Sequence, residues 1–439
     1  MSLTRRAALL GLPLGLAGCS LFDSWFGDSK VPLEGKREPV LAVRRGLEID
    51  PADRRPVTVP APAQVPEWPM SGGTPTHVVG NVAITGLQPA WRSSIGSGGG
   101  YRAKLTAQPV VAGGYVYTMD SDGQVSAFDL AGGGRQWRTD TQGEKDRSTN
   151  VGGGIAVAGN MVYATTGRAE ALGIEAATGR IAWRKGLESP ARSGPTLAGG
   201  NMYFTTLDDR VVGMNAANGE RLWSYQGTNS STTVLTGAAP AVTEGFVVAG
   251  FGSGELVAVR ADSGALAWSD SLASSRGRAS QLDLSAIRAL TVIDRNLVFA
   301  IGLGGLLVSL DLRSGRRLWE REVGGSETPW VAGDWLFVQT ADQTLAAISR
   351  EDGRVRWVQD LPRWENPQRR RDPIFWSGPV LAGGKLVLAG TSELAVSIDP
   401  VSGQILGTQS IRGPAAISPV VAAGTLFILS DNGSLQAFR

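Results

Sequence analysis

The stretch Pro109–Trp137, PVVAGGYVYTMDSDGQVSAFDLAGGGRQW, contains four short segments separated by glycine-containing turns. Apolar residues recur in each of the first three segments, and Gly or Asp clusters lie between them, which is the pattern of a β-meander. The fourth segment ends in Trp137, four residues after Gly133. One sheet of this kind cannot bury both of its faces, so the pattern predicts that the unit packs against others like it.

The same unit recurs along the chain, and in six copies a glycine precedes the terminal tryptophan by four residues. The spacing of the terminal positions averages about 45 residues, which is typical of a four-stranded propeller blade. If the seven tryptophans were unrelated, six of them would not have a glycine at the same distance before them. We therefore predict that each indole wedges between its own blade and the next. The terminal positions are Trp91, Trp137, Trp183, Trp223, Trp268, Trp319, Trp357 and, without a tryptophan, Gly407.

The two ends of the repeat region complement each other. Residues 419–438 contain three strand patterns with no tryptophan strand after them, whereas Leu87–Arg92 is a tryptophan strand with no three strands before it. Pairing the two fragments would remove the exposed edges that invite aggregation. We therefore predict an all-β fold, an eight-bladed β-propeller of four-stranded blades closed by a composite N-/C-terminal blade. A seven-bladed ring is the alternative.

The composition disfavours catalysis and nucleic-acid binding. The 439 residues include one Cys and one His, which leaves few nucleophiles or metal ligands, so we predict no catalytic residues and no metal site. His77 is predicted to be a packing residue in a loop. The net charge is only +2, and loss of residues 1–18 would remove two arginines. No basic surface is therefore expected to attract nucleic acid.

The N-terminus has the features of an export signal. Arg5-Arg6 precedes the apolar run Ala7–Ala17, which is too short to span a bilayer, and Leu16-Ala17-Gly18-Cys19 resembles a bacterial lipobox. We predict a signal peptide at residues 1–18 and lipidation of Cys19, with Ser20 typical of sorting to the outer membrane. General and twin-arginine export both remain open. Residues 19–66 are predicted to form the lipidated N-terminus and a flexible, proline-containing tether, and residues 67–439 the propeller.

Several motifs carry a family resemblance. The unit Val-x-Ala-x-Asp-x-x-x-Gly-x-x-x-Trp resembles the repeat of pyrroloquinoline-quinone (PQQ) propellers. Trp68-Pro69-Met70-Ser71-Gly72-Gly73 and Ala249–Leu256 resemble the outer-membrane protein assembly factor BamB family over residues 66–439. This resemblance implies a non-catalytic lipoprotein at the periplasmic face of the outer membrane. It also implies binding to BamA of the barrel assembly complex, with no cofactor and no small-molecule substrate.

Two other functions share the fold. A quinoprotein dehydrogenase needs oxygen ligands for Ca²⁺, cations for the quinone carboxylates and an Asp base. Such enzymes commonly also hold a vicinal disulfide, which this chain cannot form with Cys19 alone, and the Cys-x-x-Cys-His haem motif is absent. An extracytoplasmic ligand-binding or sensor propeller is the other alternative.

The resemblance implies that BamA binds the loops leading into the fourth and fifth blades, at residues 232–237 and 278–288. The sequence departs there from the family's Asp-Ile/Val-Asp pattern, and Leu235 and Leu284 could instead only plug the propeller rim. Arg369–Arg371, in the insertion between the sixth and seventh units, is either a solvated loop or a contact for acidic protein or lipid headgroups. The predicted partner-binding residues are Val234, Leu235, Thr236, Arg278, Asp283, Ala286 and Arg288.

Overall fold

β-Strands are the only regular secondary structure in residues 46–100, 103–143, 148–228, 237–273 and 285–439, which the computed structural model describes. The strands form eight four-stranded antiparallel sheets and one two-stranded hairpin. The prediction of an eight-bladed, all-β propeller is therefore confirmed.

Blades 1–4 are meanders in which consecutive strands are neighbours. In most blades the first strand contacts the first strand of the adjacent blade, which places the first strands at the propeller axis and the fourth strands outermost. Blade 1 contains β2 (Val110–Ala112), β3 (Tyr115–Met119), β4 (Val125–Asp129) and β5 (Arg135–Thr139); blade 2 contains β6 (Gly153–Ala158), β7 (Met161–Thr166), β8 (Glu170–Glu175) and β9 (Ile181–Gly186); blade 3 contains β10 (Thr196–Ala198), β11 (Asn201–Thr205), β12 (Arg210–Asn215) and β13 (Arg221–Gln226); and blade 4 contains β14 (Ala241–Val242), β15 (Phe246–Gly250), β16 (Glu255–Arg260) and β17 (Leu266–Ser271).

Blades 5–7 repeat this order, and blade 8 combines both ends of the described chain. The hairpin of β26 (Trp364–Asn366) and β27 (Arg371–Pro373) is inserted between blades 6 and 7. Blade 5 contains β18 (Val292–Asp294), β19 (Leu297–Ile301), β20 (Leu307–Asp311) and β21 (Arg317–Arg321); blade 6 contains β22 (Trp330–Ala332), β23 (Trp335–Gln339), β24 (Thr344–Ser349) and β25 (Val355–Asp360); blade 7 contains β28 (Trp376–Ala382), β29 (Lys385–Gly390), β30 (Leu394–Ile398) and β31 (Ile405–Ser410); and blade 8 contains β32 (Val420–Ala422), β33 (Thr425–Leu429), β34 (Ser434–Phe438) and β1 (Pro89–Ser94).

Tryptophans on the outermost strands connect neighbouring blades. Trp223 Nε1 donates a hydrogen bond to the Ala261 carbonyl of the next blade (3.0 Å). A Cβ atom at Gly264 would lie 2.7 Å from Trp223 Cε3, so only glycine lets this turn approach the indole. The predicted wedge is confirmed, and each turn glycine packs on the tryptophan of the preceding blade. The equivalent pairs are Gly133–Trp91, Gly179–Trp137, Gly219–Trp183, Gly315–Trp268, Gly353–Trp319 and Gly403–Trp357.

The ring closes through antiparallel pairing of β1 with β34, in which Trp91 is the partner of Ala437. The Trp91 ring also contacts Phe427 of β33, with ring centroids 5.8 Å apart. In blade 7 the position of the tryptophan is taken by Gly407, so no indole from this blade packs on the next one. That next blade has no turn between its third and fourth strands, because the two strands come from opposite ends of the propeller sequence. The missing tryptophan therefore coincides with the seam.

Residues 57–84, here called the N-terminal strap, cross the propeller axis and bond to the first strands or first turns of most blades. The tether prediction extended to residue 66, but Leu47, Asp53 and Val57 are buried against the propeller. Strand ends near the axis carry backbone groups that need partners, and the strap supplies them. The bonds are Trp68 N to Val111 O (2.7 Å), Val157 N to Pro69 O (2.7 Å), Val242 N to Pro75 O (2.7 Å), Ile293 N to Thr76 O (2.9 Å), Val82 N to Leu381 O (3.0 Å) and Ala423 N to Val65 O (2.7 Å).

Candidate partner-binding face and axial cavity

The loops between blades and the turns between second and third strands lie at one end of the blades, here called the loop face. This follows from the antiparallel meander, because every first strand starts at the loop face and runs toward the strap. Both segments predicted to bind a partner precede first strands, β14 and β18. The described residues that adjoin them, Gly237 and Ser285, therefore belong to the loop face.

A cavity of about 160 Å³ lies on the axis between the loop face and the strap. Residues that precede or begin the first strands form its wall, and Trp68, Ser71, Gly72 and His77 of the strap form its floor. The Trp68 ring stacks on Trp330 of β22, with ring centroids 6.2 Å apart and an interplanar angle of 13°. The strap thus closes the cavity on the side away from the loop face.

A buried ion pair lies in the cavity wall. Arg192 is fully buried, and its Nη1 atom lies 3.4 Å from Asp209 Oδ1. Burial lowers the pKa of Arg192, and attraction to Asp209 opposes that change. The backbone N–H of Gly252 also donates to Asp209 Oδ1 (2.8 Å). Gly237, which precedes blade 4, donates its N–H to the Arg192 carbonyl (3.2 Å), so the ion pair lies where blades 3 and 4 meet.

Glu327 connects three blades at the opposite wall. Its Oε2 atom accepts hydrogen bonds from Gly378 N (3.0 Å) and Ser418 Oγ (2.9 Å). Burial raises the pKa of Glu327, and the nearby positive charge of Arg288 acts in the opposite direction. Arg288, one of the predicted partner-binding residues, is exposed and lines the cavity. Its guanidinium therefore places a positive charge at the cavity, next to a carboxylate that is already hydrogen-bonded.

His77 lies in the cavity floor as the predicted packing residue. Its Nδ1 atom is 2.6 Å from the Thr291 carbonyl, and burial lowers the pKa of the ring to about 4. The imidazole is therefore neutral at neutral pH and donates from Nδ1. Nε2 is buried without a hydrogen-bond partner among the described residues.

The structure separates the predicted partner-binding residues into two groups. Ala286 and Arg288 are described, whereas the other five, and the predicted lipidation site Cys19, lie outside the described residues; these five are Val234, Leu235, Thr236, Arg278 and Asp283.

Ala286 was predicted as a contact residue, but its side chain is not accessible at the loop face. Ala286 is fully buried, and its carbonyl accepts a hydrogen bond from Leu303 N (3.0 Å). Neighbouring Ile287 is also buried. It packs so closely on Gly250 that a Cβ atom added to this glycine would lie 2.3 Å from Ile287 Cγ2. The apolar pair therefore anchors the loop in the core, and Arg288 is the described residue that remains accessible.

Sequence reasoning missed the polar residues of the cavity wall. Arg192, Asp209 and Glu327 are far apart along the chain. No local sequence motif predicts that closure of the propeller places all three near the axial cavity. In the parts of the chain that the structure describes, no three His, Cys, Asp or Glu residues are grouped so that they could hold a metal ion. No helix in those parts is long and apolar enough to cross a membrane.

Eight four-stranded blades with indole wedges and an axial cavity define a propeller of the PQQ-repeat class. A family model described as outer membrane protein assembly factor BamB matches residues 74–147 and 121–359. The chain therefore belongs to the BamB family.

Individual relatives agree with this assignment. The outer membrane protein assembly factor BamB of Escherichia coli K12 is 31% identical over 357 residues, which cover 79% of this chain and 88% of the relative. The Yersinia pestis protein of the same name is 27% identical over 356 residues, covering 79% of this chain and 88% of the relative.

Solved structures show the fold but do not distinguish between functions. BamB from Moraxella catarrhalis has a TM-score of 0.66 at 18% identity, covering 79% of this chain and 99% of that chain. Quinohemoprotein alcohol dehydrogenase from Comamonas testosteroni has the same TM-score of 0.66 at 13% identity, covering 86% of this chain and 81% of that chain. Since a fold does not fix a function, the sequence relationship carries the family assignment.

Proposed function

We propose that this chain is a non-catalytic scaffold lipoprotein that assists assembly of outer-membrane proteins by binding BamA through its loop face. The observation that carries the proposal is the 31% identity, over 79% of the chain, to a protein named as an outer membrane protein assembly factor. A quinohemoprotein dehydrogenase shares the fold at only 13% identity. The sequence relationship thus favours the assembly role over the redox role.

The loop face supports partner binding in this proposal because the blade walls are rigid sheets and the loops carry accessible side chains. Arg288 is exposed there, and the buried residues before it, Ala286 and Ile287, anchor the backbone that carries it. An exposed guanidinium on an anchored backbone can orient a partner segment that offers carbonyl or carboxylate oxygens. We place the contact at Arg288 and at the two segments 232–236 and 278–284.

The lipobox supports the proposed location. Acylation of Cys19 would attach the chain to the outer membrane, with the propeller in the periplasm. Several acyl chains bind a membrane far more firmly than the single chain that binds reversibly.

Co-purification from solubilised envelopes tests the proposed interface. Wild-type chain should recover BamA, whereas the double variant Leu235→Glu/Arg288→Glu should not, because it places two negative charges in the contact. The matched control is Arg313→Glu, an exposed arginine of blade 5 on the turn between its third and fourth strands, at the opposite face. This control should recover BamA like the wild type.

The thermal unfolding midpoint separates interface from core. We expect it to stay nearly unchanged in the double variant, and a collapsed midpoint would show that these residues stabilise the fold instead. Retained BamA binding would place the interface elsewhere. Quinone-dependent alcohol oxidation by the purified chain would support the dehydrogenase alternative.

A further inference from the structure

The inserted hairpin between blades 6 and 7, residues 364–373 and here called the basic hairpin, presents three consecutive exposed arginines. Its strands pair through Trp364 with Pro373 and through Asn366 with Arg371. Arg369, Arg370 and Arg371 are all exposed and outnumber the two exposed carboxylates of the hairpin, Glu365 and Asp372. Among the described residues none of the three arginines is in an ion pair, and the nearest ion pair along the chain joins Arg363 to Asp360 (3.3 Å). The guanidinium groups of the three arginines are therefore available to an external anion.

The base of the basic hairpin is held by the propeller core. Ile374 is buried, and its N–H donates to the Arg363 carbonyl (2.9 Å). Trp376 is also buried, and its Nε1 donates to the Pro362 carbonyl (2.8 Å). The arginines thus project from a fixed base on the loop face.

The chemistry of the hairpin suits a phosphate-bearing surface. A guanidinium binds phosphate oxygens through two parallel hydrogen bonds and gives up its hydration more readily than an ammonium group. Phe375, which is 56% exposed, lies directly after the hairpin. Exposed aromatic rings beside basic residues favour the boundary between lipid headgroups and acyl chains.

We infer that the basic hairpin binds the phosphate headgroups of an anionic phospholipid bilayer. The chain between Cys19 and Gly46 would span about 90 Å if it were fully extended. The height of a blade is set by the length of its strands, which is roughly 20 Å for six residues, so this span is several times the height of a blade. A chain acylated at Cys19 can therefore bring its loop face to the membrane. The inference uses the predicted anchor only for reach and does not require BamA binding. An acidic protein segment is the competing occupant.

Vesicle co-sedimentation tests the inference with the full mature chain, residues 19–439, carrying Cys19→Ala so that no acyl group contributes. We expect binding to vesicles of phosphatidylethanolamine and phosphatidylglycerol at 3:1 in low salt, and little binding to phosphatidylcholine vesicles. The triple variant Arg369→Gln/Arg370→Gln/Arg371→Gln should lower the partition coefficient on the order of 100-fold. Added salt should weaken wild-type binding because it screens these charges.

The matched control removes the same charge from the opposite face. Arg313→Gln/Arg316→Gln/Arg354→Gln alters exposed arginines on the turns between third and fourth strands of blades 5 and 6. This variant should bind like the wild type. Equal binding by the hairpin variant, or binding without phosphatidylglycerol, would overturn the inference. The inference would also be overturned if the wild-type chain bound polyglutamate but did not bind the vesicles, because the hairpin would then be a binding site for an acidic protein.

Discussion

Replacing Gly315 by alanine should reduce the free energy of unfolding by about 3 kcal/mol, because two separate costs add. Gly315 has φ +70°, a left-handed conformation that costs an L-residue about 1–2 kcal/mol. The new Cβ atom would also lie 2.6 Å from Trp268 Cγ. Trp268 cannot easily withdraw, because it is buried and its Nε1 donates to the Leu312 carbonyl (2.7 Å). Overpacking of this kind costs about 1–3 kcal/mol.

Gly200→Ala is the matched control for backbone strain alone. Gly200 has φ +78°, but no atom lies within 4 Å of the position its Cβ would take. Its substitution should cost about 1–2 kcal/mol. Urea unfolding followed by circular dichroism measures both losses. Equal losses at the two positions would refute the close contact between glycine and indole.

A double variant provides a second check on the same contact. In a Trp268→Ala background the ring and its Cγ atom are gone, and of the three contacting atoms only Cβ, at 2.9 Å, remains, so Gly315→Ala should cost less than it does in the wild type. The coupling between the two substitutions should then be about 1–2 kcal/mol. Additive losses would show that the two residues do not press on each other.

Three further outcomes follow from single residues. Trp137→Phe should lower the free energy of unfolding by about 1–2 kcal/mol more than Trp183→Phe does in urea titrations, because Trp137 Nε1 donates to Ala176 O (2.8 Å) whereas Trp183 Nε1 is buried without a partner. The pKa of His77 is lowered to about 4 from 6.5, so the unfolded chain takes up its proton first. The contribution of neutral, buried His77 to the free energy of unfolding is complete above pH 6.5. That contribution falls by about 3 kcal/mol as the pH falls to 4. His77→Gln should remove that part of the pH dependence, and an unchanged slope between pH 6.5 and 4 would contradict it. Cys19→Ala should leave the protein uncleaved or release it from the membrane fraction, and continued fractionation with the outer membrane would contradict the lipobox assignment.

The repeat made most of the fold predictable. A tryptophan at a regular spacing marks seven of the eight outermost strands, and the incomplete units at the two ends predict that the Trp91 strand pairs with the fragment 419–438, where the structure places Trp91 opposite Ala437. What the repeat did not reveal is that Gly264 contacts Trp223 rather than its own Trp268. Contacts between blades join different copies of the repeat, so the internal spacing of one copy cannot identify them.

The strap and the site were less predictable for a different reason. Residues 46–66 are rich in proline and charge, and they attach through scattered single contacts that form no repeating pattern: burial of Leu47 and Val57, the ion pair of Arg55 with Asp352 (3.0 Å) and a backbone hydrogen bond from Ala423 to Val65 (2.7 Å). Its place in a family loop predicts Ala286 as a contact residue, yet Ala286 is buried and its carbonyl accepts a hydrogen bond from Leu303, which lies beyond β18 and β19 in the sequence. Arg288 was predicted from the same loop and is exposed. Sequence therefore located the loop better than it sorted the side chains within it.

The pairing of Trp91 with Ala437 affects how the chain can fold as it is synthesised. Strand β1 is made first, and its partner β34 becomes available only when the last residues of the propeller have been added. Such long-range pairing slows folding, because the chain must close a large loop before the contact stabilises it. During this interval β1 has an open edge that other unfolded chains can pair with. A truncated product would keep that edge permanently, so early termination anywhere before β34 leaves an adhesive, protease-accessible molecule even when most of its blades are complete.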